Sequence, residues 1–188
     1  MLDKLNKQHI RQKLLNPFII NVNPNYITFI ALVSAICAGI LFYYDMILIA
    51  VFMVFVNGFL DILDGEISKK YKRETKLGDF LDHMFDRISD MIILLGITLS
   101  SYVPDVYGYG LMIMTLLVSY LGTQSHALLG KRNYSGMMGR ADRLILIIVF
   151  SLLTLIYINM LYYGVIIMII FSIITFIQRF YRIYAELI

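Results

Sequence analysis

The chain has 188 residues, 60% of them hydrophobic and only 15% charged, with a formal net charge of +3. Its mean hydropathy of +0.77 excludes an ordinary water-soluble domain, and so small a positive charge points to no nucleic-acid partner. The single cysteine, Cys37, excludes an intrachain disulfide and a thiolate metal cluster.

Met1 to Asn25 is polar and basic, without an apolar centre or a small-residue cleavage site, so no signal peptide is expected. Leu2, Leu5, Ile10, Leu14 and Leu15 are set among Lys4, Lys7, Arg11 and Lys13, which predicts an amphipathic helix over 3–15 lying on an anionic membrane surface. Asn23-Pro24-Asn25 then turns the chain into the membrane. Six spans are predicted, over 26–44, 46–69, 77–102, 107–130, 140–159 and 160–187. The uncharged runs from Tyr26 to Tyr44 and from Met160 to Gln178 are the cleanest, long enough as helices to cross a hydrocarbon layer of about 30 Å. The expected fold is an all-α integral membrane protein of six transmembrane helices plus an N-terminal amphipathic juxtamembrane helix. It is read as one domain over 1–188, with 1–22 interfacial and 23–188 the six-helix bundle.

Basic residues fall on the leading helix, on Lys69 to Lys76, and on Arg87, Lys131, Arg132, Arg140, Arg143, Arg179 and Arg182. The alternate turns, around Asp45, Pro104-Asp105 and Asn159, contain none. This asymmetry places both termini and the charged ends of the helices in the cytosol, at the cell membrane.

The second span loses its apolar character at Asp61-Ile62-Leu63-Asp64-Gly65-Glu66, and the third opens with Gly78, Asp79, Asp82, His83, Asp86 and Arg87. Asp61 and Asp64 are three apart and Asp82 and Asp86 four apart, so each pair shares a helix face. Four carboxylates at the edge of a membrane repel one another unless cations neutralise them. Hard oxygen donors suit Mg²⁺ or Mn²⁺, and a pair of such ions is a recurrent means of gripping a diphosphate during displacement at phosphorus. Gly65 and Gly78 leave room for a nucleotide or a second backbone.

The pattern Asp61-x2-Asp64-Gly65-x2-Ser68-Lys69-x8-Gly78-x3-Asp82-x3-Asp86 resembles the signature of the CDP-alcohol phosphotransferases, a family of six-helix membrane enzymes. Ser68-Lys69 stands where that family usually has Ala-Arg; lysine keeps the charge but not the planar fork of arginine. The resemblance implies two divalent ions on Asp61, Asp64, Asp82 and Asp86, with Asp86 also the base for the acceptor hydroxyl. It implies a CDP-lipid bound by Asp61, Asp64, Gly65, Ser68, Lys69, Gly78 and Asp82. A homodimer is implied in the same way.

Arg140, Arg143, Arg179 and Lys131 are candidates for the phosphate of the acceptor, since arginine suits fork-like binding of phosphate. For Lys131, as for Arg132 and Arg182, the plainer reading is a positive-inside anchor. Asp86-Arg87-Ile88-Ser89-Asp90, Arg140-x2-Arg143 and Gln178-Arg179 are similar to the branch that makes phosphatidylinositol phosphate. Ser119-Tyr120-Leu121-Gly122-Thr123-Gln124 looks closer to archaeal members. That branch often carries a lysine or arginine on the fourth span, where this chain has Gly122. The implied reaction joins CDP-archaeol to inositol 1-phosphate, giving archaetidylinositol phosphate and CMP; glycerol 3-phosphate, serine and free inositol are the alternative acceptors.

Two readings from other classes compete. An ion transporter would need polar groups continuing to the opposite face, yet Met46 to Leu60 and Met91 to Leu99 are nearly all apolar. A structural protein would merely pair the aspartates with Lys69 to Lys76 and Arg87, which explains one or two carboxylates but not four on matched faces. His83 and His126 are read as polar packing or surface contacts, Glu66 and Asp79 as solvated or nucleotide-facing, and Asp90 as placed to orient Arg87 or Arg143.

Overall fold

Asn23 sits in extended backbone and accepts the N–H of Asn25 on its side chain at 3.1 Å, while Pro24 takes the first helical position, where its missing N–H is not needed. Together they start α1 (Pro24–Tyr43) at the predicted entry point. The computed structural model describes residues 16–73, 75–130 and 136–188. After α1 come α2 (Ile47–Lys70), α3 (Lys76–Thr98), α4 (Asp105–Leu129), α5 (Arg140–Thr154) and α6 (Met160–Leu187); a short 3-10 turn at Asn16–Phe18 precedes them. There is no strand among the described residues. The amphipathic helix expected over 3–15, and with it Lys131 and Arg132, lies outside the described residues.

Helix boundaries fall close to the expected spans except at α3, which stops at Thr98 instead of continuing to 102, and at α5, which stops at Thr154 instead of continuing to 159. There the N–H groups of Leu155 and Ile156 bond to the carbonyls of Leu152 and Leu153, and Thr154 Oγ1 accepts the N–H of Leu161 at 2.8 Å. The tightened turn is closed by a side-chain acceptor. The run Leu155-Ile156-Tyr157-Ile158 contains no polar residue and no breaker, so hydropathy alone carries the helix through it.

Four helices, α1, α2, α4 and α6, are long and apolar enough to cross a membrane, which makes this a multi-pass membrane protein. The other two differ for visible reasons. The first half of α3 carries the acidic and basic residues of the expected site, and the fifteen residues of α5 extend only about 22 Å at helical rise.

The helices close into a ring: α1 packs on α2, α2 on α5, α5 on α6, α6 on α4, α4 on α3 and α3 back on α1. The apolar interior is filled by residues such as Phe42, Val54, Leu94, Ile97, Leu111, Leu161 and Met168. The α1–α3 contact depends on glycine on both sides. A Cβ on Gly39 would lie 2.6 Å from the Ile92 carbonyl oxygen, and one on Gly96 would lie 2.1 Å from that of Gly39, so the two backbones touch. At one end of the ring Asp45 accepts the Ser101 N–H at 3.0 Å and Tyr107 meets Tyr162 edge to face at 5.1 Å. The charged side chains gather at the other end, where α2 ends and α3, α5 and the last turns of α6 converge.

Candidate active site

The last turns of α2 and the first turns of α3 run past each other, so the carboxylates that share a face on each helix meet across the gap. Asp61, Asp64, Asp82 and Asp86 all line one cavity of about 560 Å³, together with Gly65, Ser68, Lys69 and Gly78. Every residue expected to hold a CDP-lipid or its metals is at this cavity. Gly65 has nothing within 4 Å of where a Cβ would stand, whereas Gly78 packs against Thr75 Oγ1 at 3.0 Å, the hydroxyl that also accepts its N–H and begins α3. Lys69 and Lys70 end α2, where the helix dipole favours cations, and Lys69 adds positive charge to the cavity wall.

Asp64 is the most buried of the four, 4% exposed, and α1 supplies its partner. Thr28 Oγ1 approaches Asp64 Oδ2 at 2.8 Å and the Pro24 carbonyl at 3.1 Å, an intrahelical acceptor one turn back. Asp79 faces the same cavity and pairs with His83 Nε2 at 3.2 Å. His83 makes the surface contact with Asp79 and also offers a ligand atom that lies, with those of Asp82 and Asp86, in a group spanning no more than 4.8 Å. This donor set, rich in carboxylate oxygen with one imidazole nitrogen, fits a hard divalent cation.

A second cavity of about 620 Å³ opens on the other side of Asp61 and Asp86, which line both. Its polar wall is cationic: Arg87 from α3, Arg140 and Arg143 from the start of α5, and Arg179 from α6. Arg140 stands on the boundary. Its Nη1 lies 2.6 Å from Asp61 and 2.7 Å from Asp86, and its Nη2 is 3.4 Å from Asn57 Oδ1. One guanidinium therefore bridges carboxylates from α2 and α3. Such pairs form in a largely buried setting, where an unpartnered charge of either sign is costly.

Asp90, 2% exposed, lies one turn beyond Asp86 and faces three arginines. Arg143 Nη2 donates a short hydrogen bond to its Oδ2, Arg87 Nη1 reaches the same oxygen at 3.3 Å, and Arg140 Nε stands 3.4 Å from Oδ1. The last contact is an ion pair without hydrogen-bond geometry. On α6, Arg179 donates to the Val118 carbonyl at 2.8 Å, and its Nη1 would be 3.3 Å from a Cβ on Gly122. The glycine leaves the space that this guanidinium fills.

Arg140, Arg143 and Arg179 thus share one cavity, as expected, while Lys131 lies outside the described residues. Three further residues went unremarked in the sequence. Thr28 holds Asp64; Asn57 donates to the Ala31 carbonyl at 2.8 Å and turns its oxygen to Arg140. Thr175 Oγ1 accepts the N–H groups of both Met137 and Met138, at 3.0 and 2.9 Å, and so ties the segment before Arg140 to α6. Asn57 carried a usable signal, an amide in an otherwise apolar stretch. Threonines are common in such helices and carry none.

The family model described as CDP-alcohol phosphatidyltransferase matches residues 21–177. An archaetidylinositol phosphate synthase of Pyrococcus horikoshii is 34% identical over 167 residues, covering 87% of this chain and 84% of the relative. Phosphatidylinositol phosphate synthase of Mycobacterium tuberculosis with CDP-DAG bound shares the fold at a TM-score of 0.81 and 20% identity, over 94% of each chain. The same protein in complex with manganese and citrate gives a TM-score of 0.79 at 22% identity, over 93% of this chain and 87% of that one. With its matched aspartates at one cavity and its helices in the shared fold, the chain belongs to the CDP-alcohol phosphatidyltransferase family, the membrane phosphotransferases of phospholipid biosynthesis.

Proposed function

We propose that this enzyme transfers the phospholipid moiety of a CDP-lipid, CDP-archaeol, to inositol 1-phosphate, forming archaetidylinositol phosphate and releasing CMP. The observation that carries this reading is the junction of two cavities of opposite character at Asp61 and Asp86: one acidic and glycine-lined, the other walled by Arg87, Arg140, Arg143 and Arg179. A diphosphate with its metals suits the first, and a phosphorylated alcohol suits the second.

Asp61, Asp64, Asp82 and Asp86 would hold two divalent ions, Mg²⁺ or Mn²⁺, a use of metal that the manganese complex of the mycobacterial protein supports. Bound there, such ions supply Lewis-acid stabilisation of charge on the phosphoryl oxygens. Gly65, Ser68, Lys69 and Gly78 line the wall along which the nucleotide lies. Asp86, which borders both cavities, is the base: it takes the proton of the acceptor hydroxyl as that oxygen attacks the lipid-bearing phosphorus. The bond from that phosphorus to CMP breaks, and its electron pair leaves with CMP. Arg140, Arg143 and Arg179, with Lys131, hold the acceptor phosphate and keep its hydroxyl near Asp86.

The cationic second cavity favours a phosphorylated acceptor over serine or free inositol. The relative from Pyrococcus horikoshii favours inositol phosphate and an archaeal lipid. In this reading the single domain crosses the membrane six times with α3 and α5 included, keeps both termini and the site in the cytosol, and pairs as a homodimer. Among the described residues, the interior between the site and the opposite turns is formed largely by apolar side chains such as Phe42, Leu94 and Ile97, which favours a transferase over an ion transporter.

The test is CMP release by the detergent-purified protein with a CDP-lipid and Mg²⁺ or Mn²⁺, comparing inositol 1-phosphate, glycerol 3-phosphate, serine and inositol. Release with inositol 1-phosphate alone, abolished by Asp86→Asn, is the expected result. Release with a different alcohol overturns the acceptor; no release with any acceptor overturns the reaction.

A further inference from the structure

Four guanidinium groups converge on the second cavity, and like charges this close must be held apart and aimed by something. Among the described residues, Arg140 is shared with Asp61 and Asp86 at the acidic junction. Arg143 and Arg87 instead meet on Oδ2 of Asp90, whose side chain is 1% exposed, and Oδ1 of the same carboxylate faces Arg140 Nε at 3.4 Å. Asp90 does not line either cavity. It sits behind the arginines, buried away from both cavities.

The local geometry explains how it reaches all three. Arg87 and Asp90 are three apart on α3, on one face of the helix, and the first turn of α5 brings Arg140 and Arg143, also three apart, against that face. Gly139, in extended backbone, begins α5, and its N–H is taken by Asp142 Oδ2 at 2.9 Å, which fixes where the turn carrying both arginines starts. Each guanidinium is planar, so pinning one N–H to a buried oxygen sets the plane that faces an incoming anion.

We propose that Asp90 is the positioning residue of the acceptor pocket: it fixes the guanidinium planes of Arg143 and Arg87, and through it Arg87 becomes a further ligand for the acceptor phosphate. This rests on the reading of the second cavity as the site of a phosphorylated alcohol. Asp90 acts chiefly on acceptor binding, because the two arginines it holds, Arg87 and Arg143, line the second cavity and not the acidic one. An asparagine there keeps the shape but loses the charge that holds two arginines on one oxygen.

The experiment uses the full chain in detergent with Mn²⁺, with initial rates of CMP release measured against each substrate in turn. Asp90→Asn and Arg87→Gln are each expected to raise the KM for inositol 1-phosphate by about tenfold to a hundredfold, while the KM for CDP-lipid changes less than about twofold. Asp90→Glu, which keeps the charge, is expected to recover part of the loss. A parallel rise in both KM values, or a fall in kcat with the acceptor KM unchanged, overturns the proposal. If Asp90→Asn does not fold, Arg87→Gln decides alone, and an unchanged acceptor KM overturns it. Arg179→Ala separates the two levels: if it raises the acceptor KM while Asp90→Asn does not, only the role of Asp90 fails. If the unaltered enzyme does not respond to inositol 1-phosphate at all, the reading of the cavity fails with it.

Discussion

Thr28 and Asp64 meet across the α1–α2 contact, hydroxyl to carboxylate at 2.8 Å, and thereby tie the first helix to an expected metal ligand on the second. The pair is buried, so the hydroxyl stands where little water reaches that carboxylate oxygen. Thr28→Val is expected to weaken Mn²⁺ binding by about tenfold or more, as loss of an outer partner does at other metal sites. Thr28→Ser should restore it. Mn²⁺ titration followed by electron paramagnetic resonance on the three proteins is the check, and equal affinities for valine and serine would remove Thr28 from the site.

Arg140 pairs with both Asp61 and Asp86 through one nitrogen. Chelation of metal should abolish CMP release yet lower the thermal midpoint of the unaltered protein only modestly, because the guanidinium still offsets part of the charge of the two acids. Arg140→Gln removes that balance, so its midpoint should depend steeply on added Mg²⁺ or Mn²⁺. Thermal unfolding with and without chelator measures both; identical shifts in the two proteins would contradict the bridging role.

The space over Gly122 belongs to Arg179. Gly122→Ala asks its neighbour to give by a few tenths of an ångström and should be mild. Gly122→Val should displace the guanidinium and raise the acceptor KM by about tenfold or more, leaving the CDP-lipid KM alone. Kinetics against each substrate separate these outcomes, and a rise confined to the CDP-lipid would refute the placement.

At Gly39 and Gly96 the backbones of α1 and α3 touch, and a Cβ on Gly96 would lie 2.1 Å from a carbonyl oxygen. Gly96→Ala must push the helices apart, with an expected loss of roughly 1–3 kcal/mol, typical of overpacking. Because α3 carries Asp82 and Asp86, activity should fall with stability. A denaturation curve in detergent tests this, with Gly110→Ala as the control, since a Cβ there meets only Ile169 at 3.8 Å.

Thr175 holds two backbone N–H groups in front of α5. Thr175→Val strands the buried Met138 donor, at about 1–3 kcal/mol for an unsatisfied group, leaves the part-buried Met137 donor without its partner, and should loosen Arg140. Lower thermal stability together with a raised acceptor KM is expected, whereas Thr175→Ser should retain both properties.

Much of this protein follows from its sequence alone because the signals involved are local. Apolar length and the positions of Pro24, Asn23 and the polar turns set the helices, and spacings of three and four put Asp61 with Asp64 and Asp82 with Asp86 on their faces. Even Asp90 is legible as a partner of Arg87 or Arg143, and the structure gives it both. The end of α5 was not, since an all-apolar stretch looks the same to hydropathy whether it is helix or turn. What only the tertiary structure decided is which distant groups meet: Thr28 with Asp64, Arg140 with Asp61 and Asp86, and Arg179 over Gly122. Those partners sit on different helices, and the depth and rotation that bring them together come from the closing of the six-helix ring. Periodicity along one helix states which side chains share a face, but only packing states what that face touches.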